Sequence, residues 1–273
     1  MKRTSLDLLA CPACHSPLVL HVNMDTSDNT ENGSLHCAHC NKEYLIEQGI
    51  PHFIRAEELT GLNRRFARVY DWFSYVYRPA STIFFAFLGG ERRYRREVLD
   101  RLEPKGGRVL EVSIGPGVNL PYLVGAPGVG EVYGLDISLG QLQRCRGFAR
   151  RRRWPVDLFL GNAERLPFKD ASFESVFHIG GINFFNDKKK AIEEMIRVAK
   201  PGTKIIIVDE TDKGARAYRL TCPGFERMFN GNREAITVPV ALVPPTMEEV
   251  RVDYVWRGFF YCLEFRKPGE RSV

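Results

Sequence analysis

The sequence predicts an α/β protein: a doubly wound, mostly parallel seven-stranded sheet behind a small cysteine-rich ribbon. Three observations carry this. From about residue 105 to residue 211, short apolar β segments alternate with helical ones, the pattern of a parallel sheet covered on both faces, and a terminal hairpin extends it. Two Cys-x-x-Cys pairs, Cys11–Cys14 and Cys37–Cys40, stand near the start of the chain. The 273 residues, 44% hydrophobic and 26% charged, leave room for one large core and an appendage. That composition excludes disordered, collagen-like and disulfide-dense chains. The longest apolar run, Ile83 to Leu88, falls far short of the roughly 20 residues that span a bilayer. The start, MKRTSLDLLACPAC, is basic but has no apolar export region, so the expected location is the cytoplasm.

Residues 1–55 are assigned to the ribbon. Each Cys-x-x-Cys pair can offer two thiolates from one tight turn, and two pairs complete a tetrahedral Zn²⁺ shell. The polar stretch Asn23–Ser34 absorbs a spacing slightly longer than usual, and Leu18–Leu20 and Tyr44–Ile46 suit ribbon strands. Disulfides would need an oxidising compartment, and a redox motif would be one pair beside a βαβ unit, not two separated pairs. Cys11, Cys14, Cys37 and Cys40 are therefore expected to hold a structural zinc with no open position for a catalytic water. Cys145, Cys222 and Cys262 are scattered single thiols.

Residues 56–104 read as a helical lid or linker, with RRFARVYDWFSYVY and ERRYRREVLDRL as its amphipathic stretches. Residues 105–273 form the core. Strands are expected at Arg108–Ser113, Glu131–Ile137, Val156–Leu160, Ser175–His178 and Lys204–Asp209. The clearest helix is Asp187–Ala199, capped by Asp187 and ended by Lys200-Pro201-Gly202. Val250–Trp256 and Phe259–Phe265 make the terminal hairpin.

The chemistry sits in the loops that follow the strands. Glu111-Val112-Ser113-Ile114-Gly115-Pro116-Gly117 runs from a strand into a glycine-bearing turn, which lets a ligand approach the backbone. Alone this is weak, because nicotinamide-binding folds also open on such a loop, although a clean G-x-G-x-x-G would need a third glycine. Three further segments follow in order: Gly134-Leu135-Asp136-Ile137-Ser138, Gly161-Asn162-Ala163-Glu164-Arg165-Leu166-Pro167-Phe168, and Arg197-Val198-Ala199-Lys200-Pro201-Gly202.

Together these four motifs resemble the class I S-adenosylmethionine (SAM) methyltransferases, in particular their ubiquinone/menaquinone-biosynthesis-like branch, over roughly residues 65 to 267. The resemblance implies SAM as cofactor and assigns roles position by position. Glu111 lies near the methionine amino group, and Gly115 and Gly117 pass under the cofactor. Asp136 holds the ribose, and Ile137 packs on the adenine. Asn162 and Ala163 meet the adenine edge, while Ser113, Asn119 and Glu164 complete the lining. Two positions depart from the pattern. Ser113 replaces a loop glycine, so the loop is either less tight or gains a hydroxyl contact, and Asn162 replaces an aspartate. The ribbon, CPAC…CAHC followed by Glu47-Gln48-Gly49-Ile50-Pro51, resembles the zinc-ribbon activator subunit of tRNA, rRNA and protein methyltransferases and the zinc module of rRNA guanine-N1 methyltransferases.

The acceptor is less determined. Its pocket should lie beyond the fourth core strand, at Phe177–Asp187, where the Asn/Asp-Pro-Pro-Tyr/Phe tetrad of amino-methyltransferases is missing. His178 is the candidate general base, with a backbone-bonded histidine as the equal alternative. Tyr70, Trp72, Phe73, Asn183 and Phe184 are the candidate pocket walls, joined by Ile83–Leu88 and by Phe225, Met228 and Phe229. An aromatic lining favours a hydrophobic or planar small molecule such as a quinone, lipid or secondary metabolite. The opposing feature is charge. The net charge is +6, with arginines at 144, 146 and 150–153 and again at 92, 93, 95 and 96. Such clusters suit RNA or an anionic membrane surface, which gives rRNA or tRNA methylation as the alternative. Also weighed are a non-catalytic scaffold whose ribbon binds a partner, and arsenite methylation through Cys145, Cys222 and Cys262. The oligomeric state is not read.

Overall fold

The computed structural model describes residues 1–22, 28–73, 90–221 and 236–269, without the side chains of 68–73 and 218–221. The ribbon is a four-stranded antiparallel sheet of β1 (Val19–His21), β2 (Gly33–His36), β3 (Glu43–Glu47) and β4 (Ile50–Pro51), in chain order. The polar stretch expected as loop through Ser34 ends two residues earlier, because Gly33 and Ser34 pair with β3. Gly33 is needed there, since a Cβ would lie 2.6 Å from the His21 carbonyl oxygen.

Helix α1 (Gly61–Phe73) and helix α2 (Glu91–Leu99) precede the core. The core alternates β5 (Gly107–Val112), α3 (Leu120–Leu123), β6 (Val129–Asp136), α4 (Leu139–Arg152), β7 (Val156–Leu160), β8 (Ser175–Ile179), α5 (Lys188–Val198), β9 (Lys204–Glu210) and α6 (Asp212–Thr221), then β10 (Glu248–Val255) and β11 (Phe260–Arg266). Ser138 and Asp187 cap α4 and α5 by accepting from Gln141 N and Lys190 N. The seven strands lie in the order β10-β11-β9-β8-β5-β6-β7. The five strands from β5 to β9 pair in parallel, and β11 joins β9 and β10 antiparallel. Each expected strand is present within two residues of its expected ends.

Strand β5 has β6 on one side and β8 on the other, and the connections leave it in opposite directions. Doubly wound sheets bind ligands in the crevice at such a switch point, beyond the carboxyl ends of the strands. Here that is the end of β5 at Val112 and of β8 at His178, which lie side by side in register.

Strand β7 is an edge, and the ribbon covers it. Phe53 N donates to Leu160 O at 2.8 Å, and His52 bridges Leu160 in parallel. Ala10 N donates to Pro167 O at 3.1 Å, and Lys169 N to Leu8 O at 2.8 Å. Asp157, 5% exposed within β7, accepts from Lys2 N at 3.1 Å and from the Ser5 hydroxyl. Tyr44, Phe53 and Phe159 pack in succession, with centroids 5.1 and 6.5 Å apart, and Phe159 meets Phe168 and Tyr133. Ribbon residues Leu8, Leu9, Leu35, Ile46 and Phe53 thus belong to the same core as Leu110, Val176 and Ile207 of the large sheet. One backbone bond at Leu160 and the side-chain contacts to Asp157 and Phe159 thus shield this edge from pairing with another strand.

This seam also settles part of the charge question. Arg146 Nη2 and Arg150 Nη2 of α4 hold Glu31 of the ribbon at 2.6 and 2.9 Å, and Arg146 Nη1 donates to Gln48. Two arginines of the basic cluster therefore join ribbon to core, and Arg152 stacks over Phe148 and Trp154.

Asp157→Ala strips Lys2 N and the Ser5 hydroxyl of a buried acceptor and should cost about 2–3 kcal/mol. Thermal denaturation should show a transition several degrees lower; an unchanged melt would mean that Asp157 does not secure the ribbon.

Candidate functional site

The loop after β5 turns tightly, with three residues at positive φ. Ser113 stands at φ +63°, the left-handed conformation a glycine would adopt, so the turn keeps its tight form despite the substitution. Gly115 (φ +55°) faces open space, with nothing within 4 Å of where a Cβ would be. Gly117 does not: its Cβ position is closed by Cys145 Sγ at 2.7 Å and Leu120 at 2.8 Å. Gly115 is thus the open cradle, while Gly117 lets the loop lie against α4. Gly134 of β6 leaves room for the loop, because a Cβ there would lie 2.4 Å from Ile114.

Three acids or amides expected at the cofactor converge on this loop. Asp136, 6% exposed, accepts from Gly115 N at 2.8 Å through Oδ2 and from Ser138 N at 2.9 Å through Oδ1. It therefore ties the β5 loop to the end of β6. Glu111 is 1% exposed; its Oε1 accepts from Asn119 Nδ2 at 2.6 Å, and its Oε2 has no hydrogen-bond partner among the described residues. Burial pushes its carboxyl up to about 8, helped by Asp136 and opposed by Asn119 and Arg95. Asn119 spends its side chain on protein, since its Oδ1 accepts from Arg95 Nη1 at 3.1 Å. Arg95 is 3% exposed, unlike the exposed Arg92, Arg93 and Arg96, so the second basic cluster is not one surface.

Beyond β7, Asn162 Oδ1 accepts from Glu164 N at 2.9 Å, which leaves Nδ2 as the donor end of the amide, and Ala163 is buried. Glu164 Oε1 accepts from Asn63 Nδ2 of α1 at 2.9 Å and from Asp187 N at 3.1 Å, so it braces α1. Ile137 is half-buried on the wall of a cavity of about 770 Å³. Tyr44 and Phe53 from the ribbon and Leu59 and Ala67 from the lid segment also line that cavity.

On the acceptor side His178 is fully buried. Its Nδ1 lies 3.0 Å from Val112 O, while Nε2 has no hydrogen-bond partner among the described residues. A carbonyl only accepts, so Nδ1 carries the proton and Nε2 presents a lone pair. Burial lowers the imidazole pKa, opposed by Asp209 and the Val112 carbonyl. Phe185 stands edge-on to the ring at 5.3 Å. Asp209 organises the loop between them: it accepts from Gly181 N at 3.1 Å, from Asn183 N at 3.1 Å and from Asn183 Nδ2 at 3.0 Å. Phe184 packs on Phe66 of α1 with centroids 4.0 Å apart. Asn186 Oδ1 accepts from Leu62 N at 2.8 Å, and its Nδ2 donates to Thr60 O at 3.0 Å, so it caps α1 from across the site.

Sequence reasoning missed Asp209, the interior role of Arg95 within the arginine cluster, and the capping role of Asn186 within the pocket segment. Arg95 had a signal, since it shares a helical face with Tyr94, Val98 and Leu99, all buried. The side chains of Tyr70, Trp72 and Phe73 lie outside the described residues, as do Ile83–Leu88, Cys222, Phe225, Met228 and Phe229. Cys145 and Cys262 are both buried single thiols and lie on different elements, α4 and β11.

In the ribbon the four thiols of Cys11, Cys14, Cys37 and Cys40 lie within 4.8 Å of one another. Cys11 Sγ also meets Tyr44 OH at 3.1 Å. Four sulfurs at this spacing can hold a metal ion.

Residues 110–207 match the methyltransferase domain family, and residues 2–49 match the Trm112p-like protein family. A demethylmenaquinone methyltransferase of Renibacterium salmoninarum is 40% identical over 124 residues, 45% of this chain and 49% of the relative. The ubiquinone/menaquinone biosynthesis C-methyltransferase UbiE of Geobacter sulfurreducens is 30% identical over 48% of this chain and 53% of its own length. The chain thus spans about half the length of the curated relatives it matches. A chain from the complex of the Haloferax volcanii Trm112 methyltransferase activator with a candidate methyltransferase has the same fold, with a TM-score of 0.55 at 15% identity over 73% of this chain and 97% of that one. Among the described residues no helix is long and apolar enough to cross a membrane.

A raised Glu111 makes a signed prediction about stability. The buried site favours the protonated acid, so its contribution is complete below the ordinary carboxylate range, near 4.5, and is lost as pH rises through about 8. Glu111→Gln should therefore melt higher than the parent at pH 8–9, with the gap closing toward pH 5. A gap independent of pH would show that Glu111 does not titrate there.

Proposed function

We propose that the chain is a SAM-dependent methyltransferase acting on a hydrophobic or planar small molecule of quinone, lipid or secondary-metabolite type. The observation that carries this is the switch-point crevice. Glu111, a buried carboxylate whose Oε2 has no hydrogen-bond partner among the described residues, stands on β5 four residues before the open cradle at Gly115. An unpaired buried acid is costly unless a cation meets it, and an ammonium group fits that need. Relatives named for demethylmenaquinone methylation support the acceptor class.

When bound, the cofactor supplies a methyl group on a sulfonium, and in-line displacement then needs little beyond placement of the acceptor atom. Glu111 would receive the ammonium. Asp136, whose oxygens accept from Gly115 N and Ser138 N, would face the ribose hydroxyls. Asn162 would offer its amide to the adenine edge. Asp209 would hold the Gly181–Asn183 loop against which the acceptor lies, and α1, braced by Glu164 and Asn186, would exclude water. His178, neutral and with its Nε2 lone pair buried, is the group here that could take a proton from an acidic acceptor. In the ribbon the four thiolates would hold a structural Zn²⁺, and Tyr44 OH would support Cys11 from outside the coordination shell.

Calorimetry should give micromolar affinity for SAM, lost in Asp136→Ala; retained affinity would overturn the cofactor assignment. Labelled methyl from SAM should enter the solvent-extractable fraction of a cell extract, and His178→Asn should slow that transfer at unchanged SAM affinity. Label in RNA instead would replace the small-molecule reading with RNA methylation, and an unchanged rate would leave His178 as the holder of Val112 O.

Metal analysis should give about one zinc per chain. Cys37→Ser should lose it while still binding SAM; a metal-free parent would sink the zinc assignment.

A further inference from the structure

Arg95 is a buried cation with an address. It stands on α2, 3% exposed, with Nε 3.4 Å from Glu91 Oε1 one turn earlier. Its guanidinium carbon lies 5.7 Å from the centroid of Trp256, and Trp256 Nε1 donates to Tyr94 O at 2.7 Å. The turn between the last two strands thereby packs against the guanidinium. From that position Nη1 donates to Asn119 Oδ1 at 3.1 Å, and Asn119 Nδ2 donates to Glu111 Oε1 at 2.6 Å. An amide has one accepting and one donating end. Fixing its oxygen on Arg95 therefore fixes its nitrogen on Glu111 Oε1, and Oε2 is left buried without a hydrogen-bond partner among the described residues.

We propose that Arg95 is a positioning residue of the cofactor site, orienting Glu111 through Asn119 and supplying the positive charge that lets Glu111 meet an ammonium group as an anion. This rests on the methyltransferase reading and adds a residue to it from outside the four core motifs. The charged groups that face Glu111 are Arg95 from α2, which favours the anion, and Asp136 from β6, which disfavours it; Asn119 stabilises the anion as a neutral donor. Removing Arg95 leaves burial and Asp136 unopposed by any cation in this set, so ionisation of Glu111 moves to higher pH and pairing with an ammonium weakens at neutral pH.

The test reads the cofactor-free protein first. Carboxyl-¹³C NMR of Glu-labelled protein, with Glu111 assigned by its loss in Glu111→Gln, should show titration near pH 8 in the parent. In Arg95→Gln it should move up by about one unit, which is a tenfold weaker SAM affinity at pH 7. Arg95→Lys, which keeps the cation, should bring the midpoint back. Asn119→Ala, which leaves the Arg95–Trp256 contact intact, should weaken SAM binding without loss of the folded spectrum. An unmoved midpoint in Arg95→Gln, or full SAM affinity in both Arg95→Gln and Asn119→Ala, overturns the proposal. Failure of the parent itself to bind SAM would instead overturn the methyltransferase reading, leaving the titration to judge the Arg95–Glu111 coupling by itself.

Discussion

The parallel pairing of β5 with β6 on one side and β8 on the other is the constraint from which the candidate site follows. The chain must leave β5 toward one face and return to β8 from the other, so no connection crosses the sheet between their carboxyl ends. A crevice remains there that backbone cannot fill. The loop above it must turn at once, which sets Ser113 in a left-handed conformation. Glu111 must stay below it, one residue short of the strand's end and out of reach of water. The left-handed Ser113 and the buried Glu111 are both locally unfavourable, and the proposed ammonium group would offset the second.

The other end of the sheet poses the opposite problem, because β7 would expose a full edge. The ribbon solves it in the same chain, with Phe53 on the backbone of Leu160 and Asp157 fastened to Lys2 and Ser5. Since Tyr44 touches both Cys11 and Phe53, the metal knuckles connect to the sheet's core through one aromatic line. Ribbon and core are thus linked mechanically through the packing that surrounds β7. The ribbon also lines the cavity beside Ile137, so its influence extends to the side of the crevice where adenine is expected.

Much of this was readable from the sequence because the responsible signals are local. Strand and helix periods, the Asp187 cap and the cysteine pairs each act within a few residues. The order of the loop motifs marked which strand ends carry the candidate site, while the adjacency of β5 and β8 came from the structure. What could not be read depends on partners distant in sequence. Asp209 looks like the last polar residue of a strand, and only the return of the 181–183 loop makes it a fourfold acceptor when Glu210 N is included. Asn186 looks like a loop residue until α1 arrives with uncapped N–H groups. Arg146 and Arg150 read as a basic patch because Glu31, their counter-charge, comes from another domain.

The same reasoning bears on what the chain recognises. Clustered arginines imply a polyanion only when their charge faces solvent. Here Arg95 is committed to the interior and Arg146 is largely covered where it pairs with Glu31, whereas Arg150, although also paired to Glu31, and Arg92, Arg93, Arg96, Arg151, Arg152 and Arg153 stand exposed. The interior of the site points elsewhere. Its acceptor side is built from Phe184 and Phe185 around a neutral imidazole, over a loop held by backbone bonds to Asp209 rather than by exposed cations. Such walls gain most from a planar or apolar acceptor, which buries area against them without leaving phosphates unpaired. On the proposed reading, selection of an acceptor would fall to the aromatic loop.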